Sequence, residues 1–100
     1  MEVTSVVDGD KITIEVSGKV TVATAPQLKA AIVQIPGDIK NIDFELENTE
    51  YVSSAGLRVL VTAAKLAMSR GGSIRLLHPN DDIVEVLRMT NLGNILAVVQ

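Results

Sequence analysis

Two stretches of this chain alternate residue by residue between apolar and polar, and that alternation limits what can surround them. In the first, Ile12, Ile14 and Val16 point one way, while Lys11, Thr13, Glu15 and Ser17 point the other. In the second, Ile42, Phe44 and Leu46 oppose Asp43, Glu45 and Glu47. Period two marks a strand with one buried and one wet face. A parallel sheet covered on both faces would instead read as nearly continuous apolar runs. The pattern predicts an α/β fold whose mixed β-sheet carries all its helices on one face and leaves the other largely in water.

The remaining elements follow from local signals. Asp8-Gly9-Asp10 is a turn, so residues 2–7 pair with the strand after it as a hairpin. Thr24-Ala25-Pro26-Gln27 reads as a helix start, with Thr24 as cap, Gln27 completing a capping box and Pro26 in the first turn. Leu28, Ala31, Ile32 and Ile35 follow at helical spacing until Pro36-Gly37. A second helix runs from about Ala55 to Arg70 and stops at Gly71-Gly72. Ser73 to Leu77 is a short strand. Asn80 or Asp81 caps a third helix carrying Ile83, Val86, Leu87 and Thr90, which Asn91-Leu92-Gly93 closes. Ile95 to Val99 is a last strand. The order β-β-α-β-α-β-α-β implies parallel, right-handed crossovers within one domain spanning residues 1–100.

Composition removes whole classes of function. Aromatic residues are 2% of the chain, so the core is aliphatic and only Phe44 and Tyr51 could stack on a base. Nine basic and twelve acidic side chains give a net charge of -3 with no basic run, which argues against nucleic acid as a partner. There is no cysteine. The start, Met1-Glu2-Val3-Thr4, lacks the basic and apolar regions of a secretory signal, and no apolar stretch is long enough for a bilayer. A cytoplasmic protein without direct membrane insertion is expected. His78, the single histidine, has no helical His/Glu companion for a metal. Gly71 and Gly72 follow a helix and read as its stop, not as a phosphate cradle. No cofactor is expected.

The informative segment is Tyr51-Val52-Ser53-Ser54-Ala55-Gly56-Leu57-Arg58, where a helix begins shortly after a strand. The first N–H groups of a helix lack internal partners and, with the helix dipole, favour a negative group. Ser54 sits where an N-cap belongs. Two readings are open from spacing alone: an ordinary cap, contributing about 1 kcal/mol, or a hydroxyl that accepts a phosphate, adding roughly -1.5 to -2 charges. A catalytic serine is a poor third reading. It needs an adjacent base, the lone histidine lies in another loop, and the G-x-S-x-G elbow is absent. An enzyme is not expected.

The stretch Tyr51-Val52-Ser53-Ser54-Ala55-Gly56-Leu57-Arg58-Val59-Leu60 closely resembles the signature of the STAS family, the domain of sulfate transporters and anti-sigma factor antagonists. Gly18-Lys19-Val20-Thr21-Val22-Ala23-Thr24-Ala25-Pro26-Gln27-Leu28 resembles the family's strand-to-helix corner, and Asn80-Asp81-Asp82 and Thr90-Asn91-Leu92 match the ends of its third helix. The resemblance covers essentially the whole chain. It implies a stand-alone bacterial anti-sigma factor antagonist, a partner-switching protein. Such a domain binds an anti-sigma factor that is also a serine kinase and thereby frees a sigma factor. The kinase then phosphorylates the domain, the complex dissociates, and a serine phosphatase resets it. Aligned on Gly56 and Leu57, the phosphoserine falls on Ser54, with Ser53 as second choice. The implied partner surface holds Thr21, Val22, Ala23 and Thr24 in the corner, and Ser53, Ser54, Ala55, Gly56 and Arg58 at the helix start. Many members carry aspartate where this chain has Thr21 and Ser53. Those two hydroxyls keep an alternative open: a STAS-like structural subunit of a transporter or signalling complex that is never phosphorylated.

Helical spacing extends this surface. With Leu57, Leu60, Val61, Ala64 and Met68 toward the core and Arg58, Thr62, Lys65 and Ser69 as a polar stripe, Val59 and Leu66 fall on the far side, at about 100° per residue. Val59, Ala63 and Leu66 are then either ordinary exposed apolar residues or a continuation of the Ser54 site toward a partner.

Overall fold

The computed structural model describes all 100 residues. Strands β1 (Glu2–Asp8) and β2 (Lys11–Val20) form the expected antiparallel hairpin, with Asp8 opposite Lys11. Helix α1 (Ala25–Val33) follows, then β3 (Asn41–Glu45), β4 (Thr49–Val52), α2 (Ser54–Ser69), β5 (Ile74–Leu77) and α3 (Asp81–Met89). A single 3₁₀ turn at Leu92–Asn94 leads into β6 (Ala97–Val99). The sheet runs β1-β2-β3-β5-β6, and every pair after the hairpin is parallel.

The alternation has the meaning the sequence suggested. Ile12, Ile14, Val16, Ile42, Phe44, Leu46, Ile74 and Leu76 are buried on one face, and they join residues of all three helices in a single core. The opposite face is polar. Its centre is Asp43, only 3% exposed, which Arg75 on β5 meets with two hydrogen bonds, Nε to Oδ1 at 3.0 Å and Nη2 to Oδ2 at 2.6 Å. Lys11 on β2 approaches the same carboxylate at 3.8 Å. Hydrogen bonding to Asp43 raises the Arg75 guanidinium pKa above its ordinary value, its charge interaction adds to this, and desolvation opposes both. His78 occupies a loop with φ of 55° and sets Nδ1 2.9 Å from Glu45 Oε1 on this same face.

One strand escaped the sequence reading. Residues 49–52 look like a loop between strand and helix, yet β4 pairs in parallel with the second half of β2, which runs three residues further than the alternation showed. The register shifts between Gly18 and Lys19, so β2 serves β3 with its first half and β4 with its second. Thr49 is buried and fastens the two strands by donating its hydroxyl to the Val16 carbonyl at 2.6 Å. This strand aims the start of α2.

No helix is long and apolar enough to cross a membrane.

Candidate functional site

β4 delivers the chain to α2 with Val52 buried between β2 and the helix. Ser53 comes next, 6% exposed, with its N–H donating to the Val20 carbonyl at 2.8 Å. Its hydroxyl accepts a hydrogen bond from the Gly56 N–H at 3.1 Å. Ser53, not Ser54, is therefore the N-cap, which corrects the sequence assignment. Both serines suit the position chemically. The strand pairing decides, because it ends the extended backbone at Ser53, whose φ and ψ are -74° and 171°.

Ser54 is the first helical residue, exposed, and its hydroxyl has no hydrogen-bond partner within the chain. The two adjacent hydroxyls are thus divided. One is buried and committed to the backbone; the other faces solvent at the positive end of a 16-residue helix. The first turn of α2 contains no acidic residue.

Gly56 is fixed by packing. A Cβ at this position would lie 2.7 Å from Val20 Cγ1 and 2.8 Å from Val52 Cγ1. The glycine lets the helix start lie directly on the ends of β2 and β4, so it sets where Ser54 emerges.

The β2–α1 corner stands beside this start. Thr24 precedes α1, but it makes no capping bond and the expected capping box does not form. Its hydroxyl instead accepts from the Thr21 N–H at 2.8 Å and donates to the Lys19 carbonyl at 3.1 Å. Thr21 and Thr24 thereby close the corner on itself and leave Val22, 74% exposed, and Ala23 projecting into solvent. Between this corner and α2 lies a groove of about 400 Å³, lined by Val22, Pro26 and Lys29 on one side and Ala55, Arg58 and Val59 on the other.

The far flank of the helix start has different chemistry. A smaller cleft of about 70 Å³ opens there, with Tyr51, Leu57, Ile83 and Val86 as its apolar wall and Glu50 and Asp82 as its charges. The site is cationic toward α1 and acidic toward α3.

The expected far-side apolar row on α2 needs correction. Val59 is 6% exposed and Ala63 fully buried, whereas Met68, assigned to the core, is 59% exposed. Leu66 is half-buried against the core and does not line the groove. The buried arc is centred on Leu60, Ala63 and Ala67 because α2 packs on α1 along one flank as well as on the sheet beneath. A reading that considers only the sheet turns the helix too far round. Val59 still reaches the floor of the groove.

Comparison with known proteins places this arrangement. Residues 4–99 match the family profile described as "Mlab, STAS domain". The anti-sigma-B factor antagonist of Listeria monocytogenes is 32% identical over 94 residues, which are 91% of this chain and 81% of that protein. A Thermotoga maritima crystal structure, provisionally described as an anti-sigma factor antagonist, superposes with a TM-score of 0.89 at 23% identity, over 98% of this chain and 86% of that one. The Bacillus cell fate determinant SpoIIAA in its phosphorylated form gives a TM-score of 0.78 at 18% identity, over 99% and 92% of the two chains. At these identities the likeness to the two structures establishes the shared fold.

Proposed function

This chain belongs to the STAS domain family, and from that premise we propose that it is an anti-sigma factor antagonist switched off by phosphorylation of Ser54. In the unphosphorylated state it binds an anti-sigma factor that is also a serine kinase, and a sigma factor is released. The kinase then transfers a phosphate to Ser54, and a serine phosphatase later removes it. The domain itself is a binding module of the bacterial cytoplasm, with Thr21, Val22, Ala23, Thr24, Ser53, Ser54, Ala55, Gly56, Arg58 and Val59 at or beside the contact surface.

The observation that carries this reading is the division of the two serines. A kinase needs a free, reachable hydroxyl; Ser54 offers one and Ser53 does not. Placed at the first turn of α2, a phosphate meets backbone N–H groups and the positive end of the dipole, so the fold tolerates it. The modification then acts on the partner through charge and bulk. That a relative sharing the fold is described in a phosphorylated form agrees with this.

The test is a pull-down from the native cell with wild type, Ser54→Ala and Ser54→Asp as baits, with intact-mass analysis of each. Wild type and Ser54→Ala should retain a kinase, Ser54→Asp should lose it, and only wild type should carry phosphate. Identical captures by all three baits, with no phosphate, would favour the second reading. That reading is a constitutive subunit of a transporter or signalling complex, and the hydroxyls of Thr21 and Ser53 speak for it.

A further inference from the structure

The chain has four arginines, and three of them are engaged. Arg70 donates to the carbonyls of Pro36 and Ile39, both at 2.8 Å, and so ties the end of α2 to the α1–β3 connection. Arg75 pairs with Asp43, and Arg88 with Glu85. The Arg58 guanidinium alone has neither an ion pair nor a hydrogen bond, and the residue is exposed. It stands four residues after Ser54 on the same helix, and residues at that spacing are neighbours on the helix surface.

Arg58 also supplies one of the two charges that line the groove beside Ser54; the other is Lys29, and no acidic residue lines it. On a chain of net charge -3, with an acidic cleft just across the helix start, this is a local reversal of sign. Apart from the two cations, the groove is lined mainly by apolar residues, Val22, Pro26, Ala55 and Val59. Such a surface fits an apolar side chain flanked by carboxylates.

We propose that this groove receives an acidic segment of the partner protein, and that phosphate on Ser54 switches the complex by taking Arg58 for itself. This rests on the reading of Ser54 as the phosphorylated residue. In the unmodified protein Arg58 is unengaged and meets the partner's carboxylate. Once Ser54 carries phosphate, a dianionic group sits one helical turn away on the same chain, and the guanidinium turns to it. The partner loses its cation and meets a like charge in the same place. Lys29, on the other helix, is the contact that remains.

Two measurements test this. The first uses protein carrying phosphoserine at position 54, introduced during synthesis, and follows the phosphate by ³¹P NMR as pH is changed. Pairing with Arg58 favours the dianion, so the phosphate must titrate at lower pH in the wild-type background than with Arg58→Gln. Coincident titrations overturn the capture step. The second uses the purified protein that the Ser54→Ala bait retains, with binding measured against Ser54→Ala, Ser54→Ala/Arg58→Glu and Ser54→Ala/Lys29→Glu, each checked for an intact circular-dichroism spectrum. Either charge reversal should weaken binding about tenfold or more, and the loss should shrink as salt is added. Unchanged affinity in both reversals overturns the acidic occupant. So does self-association of this chain that either reversal abolishes, since the groove would then seat a second copy. A bait that retains nothing ends the partner half of the proposal together with the function it rests on. The phosphate titration still decides the Arg58 half, so the two failures read differently.

Discussion

Helices α2 and α3 begin in nearly the same way. Ser53 has φ and ψ of -74° and 171°, and Asn80 has -71° and 170°. Each cap accepts a hydrogen bond from the N–H three residues on, Gly56 at 3.1 Å and Ile83 at 2.9 Å. Beyond the caps they part. The first turn of α3 holds Asp81 and Asp82, and Arg88 sits in its last turn, so its dipole is answered at both ends. Asn80 further anchors the start by donating Nδ2 to the carbonyls of Thr49 and Glu50. The first turn of α2 has no acid, its last turn has no base, and its first helical residue is a free serine. The charge complement is thus built into one helix start and left out of the other. A helix can hold without that complement because burial along its length supplies most of its stability. An unfilled positive end costs α2 little and leaves room for a group that comes and goes.

The largest effects should come where the two starts face the core. The third helical residue is Ile83 in α3 and Gly56 in α2. Ile83→Ala empties a packed site and should cost about 2–5 kcal/mol. Gly56→Ala does the opposite, forcing a methyl against Val20 and Val52, and should cost about 1–3 kcal/mol. Chemical denaturation of both variants checks this; a neutral Gly56→Ala would mean that α2 can lift from the ends of β2 and β4.

The caps come next. Asn80→Ala removes a cap and two further hydrogen bonds and should lose about 2 kcal/mol. Ser53→Ala removes one capping bond and should lose about 1 kcal/mol. Ser54→Ala should stay within about 0.5 kcal/mol of wild type, as surface changes do. Equal losses at Ser53 and Ser54 would erase the division between them.

Charge in the first turn gives smaller and opposite changes. Ser54→Asp should stabilise the protein by about 0.3–1 kcal/mol at low salt, and Asp81→Asn should destabilise it by a similar amount. Both changes should fade with added salt. A destabilised Ser54→Asp would mean that the start of α2 resists negative charge, and phosphate with it.

The smallest effect concerns acid. Hydrogen bonding to Arg88 holds the Glu85 carboxyl below its usual value, against a weaker desolvation effect. A depressed carboxyl contributes stability above its unfolded-state pKa and loses it as pH falls through its folded-state pKa. Glu85→Gln should therefore slightly flatten the acid side of the stability profile, with no counterpart in α2, which has no acidic residue.

Much of the fold was legible because the sheet has two unlike faces. Alternation placed β2 and β3, set the helices on one side and left Asp43 on the other, where the structure adds Arg75 from β5 as its partner. The start of α3 was legible to within one residue, Asn80 or Asp81, and the hydrogen bond from the Ile83 N–H puts the cap on Asn80. What escaped depends on distant neighbours. β4 is four residues long and is a strand because the tail of β2 lies beside it. Thr24 has a cap's identity, but its hydroxyl is taken by Thr21 and Lys19. The choice between Ser53 and Ser54 is made by a hydrogen bond to Val20, more than thirty residues earlier in the chain. Arg58 was placed at the surface by the helical stripe, but its lack of a partner became visible only once the other three arginines had found theirs.

The most direct measurement is site-localised mass spectrometry of the protein isolated from its native cell, with fragment ions that separate Ser53 from Ser54. The account predicts that a fraction of the chains carries one phosphate, that the phosphate is on Ser54, and that those chains remain folded. Phosphate on Ser53, or none under any growth condition, would contradict it.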